Sequence, residues 1–158
     1  MKKFELTSEF VTFLGKKLFR IKALVSFGDV KEGELGGLVE KEENLDQSGN
    51  AWVSGDARVS GDARVYGDAR VYGNAWVSGD ARVQNCRDYS ATSCFGSENR
   101  TTTFFRTKDG GISVRCGCFY GTLAEFREKV KERHGGRRLA KEYLMLADLM
   151  EFRLSKDE

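Results

Sequence analysis

Few side chains in this sequence are suited to nucleophilic or metal chemistry. There is one histidine, His134, and four cysteines, Cys86, Cys94, Cys116 and Cys118, among 158 residues. A lone imidazole can serve as a general base. His134, however, closes a segment that reads as a helix. A cation there meets the helix dipole favourably by about 0.3–1 kcal/mol, and that structural role is the expected one. A three-histidine metal site is excluded by the count. The cysteines lack the paired CxxC knuckles of a strong zinc signal. Cys116 and Cys118 stand two apart on an expected strand, on one face with Ile112 and Val114. They are expected to pack as small, metal-free hydrophobes, a four-thiolate zinc site with Cys86 and Cys94 being the alternative. No catalytic residue, metal or cofactor is expected.

The remaining chemistry lies in a repeat. Residues 49–84 read GNAWVS, GDARVS, GDARVY, GDARVY, GNAWVS and GDARVQ, a period of six with no insertion. Gly-Asp and Gly-Asn are turn chemistry, and a six-residue period is wrong for nine-residue calcium motifs. Within each unit, strand alternation sends Ala and Val to one face and Arg or Trp to the other. Small Ala two residues before Val is the hexapeptide pattern of a left-handed parallel β-helix. Three hexads make one coil of 18 residues, so six make two coils stacked at about 4.8 Å. A coil buries little by itself, so its ends need covers.

Stacking at 18 puts Trp52 over Arg70, Arg58 over Trp76 and Arg64 over Arg82, with Tyr66 and Tyr72 near corners. These eight residues are the expected ligand-binding set. Exposed guanidinium forks and flat rings suit a nucleotide or an acidic protein surface. The structural alternative is that Arg–Trp stacks support the coil, each worth about 0.5–1 kcal/mol.

Both flanks read as covers. Residues 10–24 form two strand-like runs around Gly15-Lys16-Lys17, with Phe19, Ile21 and Ala23 alternating against Arg20 and Lys22. Residues 33–48 supply an irregular first coil, with Leu38 or Val39 and Leu45 inward. Beyond Gln84, 101–107 and 112–119 read as a hairpin around Lys-Asp-Gly-Gly. Thr122 and Glu125 form a capping box that opens a helix to about His134, stopped by Gly135-Gly136. A second helix covers roughly Arg138 to Arg153. The expected organisation is therefore mainly β: an N-terminal β-hairpin cap with an irregular first coil (1–48), the left-handed β-helix (49–84) and a C-terminal ββαα module (85–158).

Eighteen glycines without a proline suit many tight turns, and a net charge of +2 gives no reason to expect a nucleic-acid partner. No signal peptide and no apolar run of the roughly 20 residues that span a bilayer is evident, so a cytoplasmic protein with reduced thiols is expected.

The string DARVYGNA, set between LFRIKALVSFGDVKEGELGGLVEKEENL and TTTFFRTKDGGISVRCGCFYGTLAEFREKVKERHG, resembles a group of hexapeptide-repeat proteins of bacteria, phages and prophages. The resemblance covers nearly the whole chain. It implies a phage-linked accessory protein in the host cytoplasm, and no reaction. The functional expectation is a non-enzymatic, homo-oligomeric binding protein, trimer or dimer, that blocks or sequesters a host defence component. The target is either a nucleotide messenger or a defence protein, with a slight lean to the nucleotide. The alternatives are a β-helix acyltransferase-like enzyme and a purely structural assembly module.

Overall fold

A computed structural model describes residues 2–95 and 100–155, so the expected outer limits at 1 and 158 lie outside it. The chain is mainly β with two C-terminal helices. It begins with a hairpin, β1 (Phe4–Phe13) and β2 (Lys16–Ala23). The connecting Leu14 and Gly15 both hold positive φ, 52° and 78°, as a two-residue primed hairpin turn requires. The turn therefore sits one residue earlier than the sequence suggested, and Lys16 and Lys17 belong to the strand.

Next come β3 (Leu35–Val39) and six two-residue strands, one per hexad. These are β4 (Trp52–Val53), β5 (Arg58–Val59), β6 (Arg64–Val65), β7 (Arg70–Val71), β8 (Trp76–Val77) and β9 (Arg82–Val83). They pair in parallel as Val53 with Val71, Val59 with Val77 and Val65 with Val83, always 18 residues apart. Ladder bonds follow, such as Trp52 N–H to Ala69 O at 3.0 Å and Arg64 N–H to Ala81 O at 3.0 Å. At each corner the repeat glycine holds φ of 62–74°, and Ala57 N–H returns to Ser54 O at 3.2 Å. A positive φ at the first central residue alone is the pattern of a type II′ turn, which explains Gly before Asp. The repeat Val and Ala side chains are buried throughout and form the first core.

The first turn is irregular by two residues. Val39 pairs with Val59 and Leu45 with Val65, both 20 apart, before the spacing settles at 18. Val39 and Leu45 point inward, whereas Leu38 aligns with the outward Arg58. Buried Asn44 holds this corner by donating Nδ2 to Ala63 O at 2.9 Å and Gly61 O at 3.1 Å. The hairpin extends one side of the stack, giving a sheet in the order β1-β2-β3-β5-β8. Gly36 sits at that joint, where a Cβ would fall 2.6 Å from Trp52 and 2.7 Å from Ile21.

The far end is closed by an antiparallel sheet in the order β10 (Tyr89–Phe95), β11 (Arg100–Arg106), β12 (Ile112–Cys116), β13 (Phe119–Thr122). On β11, Phe105 and Phe104 point to opposite faces. Phe105 joins the repeat core, and Phe104 joins a second core under α1 (Leu123–His134) and α2 (Arg138–Leu154). The expected capping box is present, with Glu125 N–H donating to Thr122 Oγ1 at 3.1 Å.

The expected ββαα module is thus corrected to four strands and two helices. The polar run of β10 carries little alternation to betray it. The supposed long strand 112–119 is broken at Gly117, whose φ of 59° folds Phe119 back beside Cys116. Cys116 and Cys118 therefore do not share a strand face: Cys116 packs against the second core and Cys118 is exposed in the turn. No helix among the described residues is long and apolar enough to cross a membrane.

Candidate functional site

The expected pairs Trp52–Arg70, Arg58–Trp76 and Arg64–Arg82 are in register. Their accessibility differs from expectation. Trp52 is only 1% exposed and Trp76 only 7%, so neither is a free stacking surface. Chain distant in sequence covers both. Phe27 stands edge-on to Trp52 at 5.4 Å, and Phe13 to Trp76 at 4.9 Å. The Arg58 guanidinium lies between Phe13 and Trp76, at 5.1 and 5.6 Å from their rings, and Arg115 covers Trp76 at 4.0 Å. The Trp76 Nε1–H donates to Ser60 Oγ at 2.8 Å. Water exclusion makes these cation–π contacts stronger than exposed ones, so this part of the ladder is structural.

Arg70 is also engaged, by an ion pair with Asp29. Arg82 donates Nη1 to Asp62 O and Ala81 O, both at 2.8 Å, which ties successive corners together. Tyr72 stands apart, exposed. Arg64, Tyr66 and Arg82 share a groove of about 530 Å³ that also contains Glu42, Glu43 and Asp46. Its mixed charge does not select an anion.

A different cleft gathers several cationic side chains and rings among the described residues. It is a cavity of about 100 Å³ between α1 and the C-terminal sheet. Four side chains able to carry positive charge line it: Arg100 from β11, and Lys129, Arg133 and His134 from α1. Phe119, Phe126 and Tyr143 supply rings, and among the described residues no carboxylate lines it. Helix geometry explains the α1 contribution. Phe126 and Val130 are four apart and anchor the helix in the core, while Lys129 and Arg133, also four apart, edge the cleft. Arg100 rests against Gly117, where a Cβ would lie 2.3 Å from its Nη1. Gly117 is needed both for its backbone angle and for this contact.

The floor is polar at defined points. Thr102 Oγ1 donates to Cys116 Sγ at 3.3 Å. Burial, and then the neighbouring Cys116, pushes the Tyr143 hydroxyl up to about 12. It is therefore a neutral donor or acceptor at physiological pH. His134 stacks on Tyr143 at 6.1 Å between centroids, and its Nδ1 is buried with no hydrogen-bond partner among the described residues. A buried ring nitrogen without a partner is costly. A water or a ligand atom can complete it. Such a lining can hold an anion by charge-assisted hydrogen bonds while rings flank an attached flat group.

Sequence reasoning assigned His134 to helix capping and Cys116 to packing, and did not bring Arg100 or Tyr143 to them. The available signal was local: Lys129, Arg133 and His134 on one turn of α1, next to Phe126 and Val130. Among the described residues, no group of three or more His, Cys, Asp or Glu is arranged to hold a metal ion.

Residues 63–79 match the model of the YdcK β-solenoid repeat family. The match falls within the 18-residue stacking described above and identifies a β-solenoid repeat there. No curated protein matches the chain.

Proposed function

We propose that this protein is a non-enzymatic binding protein that takes up a small anion bearing a flat ring in the cleft between α1 and the C-terminal sheet. The observation supporting this reading is the lining itself: Arg100, Lys129 and Arg133 beside His134, three aromatic rings and, among the described residues, no carboxylate and no partner for the buried imidazole nitrogen. A cavity of about 100 Å³ is well above the roughly 10–15 Å³ that one water needs, which leaves room for a phosphate or a single ring. The rest of a larger ligand would extend over the rim at Lys129 and Arg133. A nucleotide has both parts.

The repeat is read as a left-handed hexapeptide β-helix, a frame supported by the six-residue period and the Ala-x-Val spacing. The resemblance of the sequence to phage and prophage proteins supplies the setting: sequestration of a host defence component in the host cytoplasm, here a nucleotide messenger.

Calorimetry of the full chain against nucleoside monophosphates and cyclic dinucleotides tests the reading. Losing one charge-assisted contact costs about 1.5–3 kcal/mol, so Arg133→Ala is expected to weaken binding about ten- to a hundredfold. The double variant Arg64→Ala/Arg82→Ala is expected to bind as the wild type does. Absence of binding across the whole panel, or loss of binding only in the Arg64/Arg82 variant, contradicts the proposal.

A further inference from the structure

The outer face of α2 has no use in the binding reading, yet it carries the two most exposed large apolar side chains among the described residues, Phe152 and Met145. Met145, Leu149 and Phe152 are 71, 55 and 83% exposed. Their spacing of four and three residues sets them on one helix face. That face points away from the buried stripe of Ala140, Tyr143, Leu146, Ala147, Met150 and Leu154. Single exposed apolar residues are ordinary, but a contiguous stripe over two turns marks a contact surface.

The charges beside the stripe indicate what covers it. On the flank towards α1, Asp148 already pairs with Arg127. On the other flank stand Glu142 and Arg153, both exposed and neither in an ion pair among the described residues. They have opposite sign and sit 11 residues apart, near the two ends of the stripe. A partner that places a cation opposite Glu142 and an anion opposite Arg153 is an antiparallel copy of the same helix. The register agrees. In antiparallel helices the residue numbers of facing positions have a constant sum. Met145 facing Leu149 gives 294, and Glu142 facing Arg153 gives 295, within one residue of each other. An isologous two-fold contact requires this kind of self-complementarity.

We infer that two copies of this chain associate through α2, antiparallel about a two-fold axis, with Met145 of each against Leu149 of the other and Glu142 against Arg153. Phe152 then covers the aliphatic part of the partner subunit's Glu142. The cleft at α1 stays open, because its helix lies on the opposite flank. Three side chains over two turns make a small contact, so the pair is expected to be weak and dependent on concentration.

Sedimentation of the full chain from low to high micromolar concentration is the test. The mass is expected to rise from 17.7 kDa to twice that value. Leu149→Asp and Phe152→Glu, both at exposed positions, are expected to keep the circular dichroism spectrum and remain monomeric. Glu142→Arg alone is expected to weaken the dimer about tenfold, and Glu142→Arg/Arg153→Glu to restore it to within about threefold. A wild-type chain that stays monomeric throughout, or an oligomer indifferent to Leu149→Asp, overturns the inference. A double reversal no better than the single one overturns the antiparallel register. Nucleotide binding by the monomeric variants separates failure here from failure of the cleft reading.

Discussion

At the scale of single residues, the molecule places charge where its neighbours decide the consequence. Lys3 is buried at the N-terminal end of the stack and donates Nζ to Ala51 O at 2.8 Å and Gly49 O at 3.3 Å. Burial lowers its pKa to about 8 from the ordinary 10.5; Asp46 opposes the shift and Arg70 adds to it. The unfolded chain keeps that proton up to about pH 10.5, whereas the folded chain releases it near 8. Between those values the unfolded state binds more protons, so this group makes stability rise with pH. Below pH 8 the buried charge is a fixed cost. Urea unfolding of wild type and Lys3→Met across pH 8 to 10 checks this. Wild type is expected to gain stability relative to the variant over that window, and parallel curves would contradict the assignment. The same distinction between burial and exposure separates the Arg–Trp pairs from the cleft. Arg58 and Arg115 serve Trp76, whereas Lys129 and Arg133 face an open cavity.

At the scale of elements, the repeat is the part most legible in the sequence. Two observations made it so: a valine every sixth residue, and a glycine at every corner that needs positive φ. Local chemistry therefore set the inward face, and the likeness to the hexapeptide pattern, three hexads to a coil, supplied the 18-residue register seen in the pairing of Val53 with Val71. The element-level test is Val65→Asp. Val65 is fully buried between Leu45 and Val83, with no polar partner at hand. An unpaired buried charge costs several kcal/mol, so the variant is expected to be insoluble or unfolded. A soluble variant melting like wild type would contradict the stacking. The covers were less legible. β10 has a Ser- and Thr-rich composition with little periodicity, and β13 is separated from β12 only by Gly117 and Cys118. Burial of Trp52 and Trp76 could not be read locally either, because Phe27 and Phe13, which cover them, lie outside the repeat.

At the scale of the whole molecule, one strand joins two cores. Phe105 closes the repeat stack and Phe104 seeds the helical layer, so the cleft is held by a frame that continues through β11 into the repeat. The cleft was not legible in the sequence because its lining comes from separate segments: Arg100, Cys116 to Phe119, Phe126 to His134, and Tyr143. Only the topology β10-β11-β12-β13 with α1 and α2 on one face brings them together. That the chain contains a single histidine makes the central claim directly measurable. The imidazole resonances of His134 can be followed by NMR while a nucleotide that binds in calorimetry is titrated in. If the ligand sits in the cleft, those resonances shift and saturate with the calorimetric affinity, and Arg133→Ala moves both curves together. Binding that saturates while the His134 signals stay unmoved would place the ligand elsewhere and contradict the account.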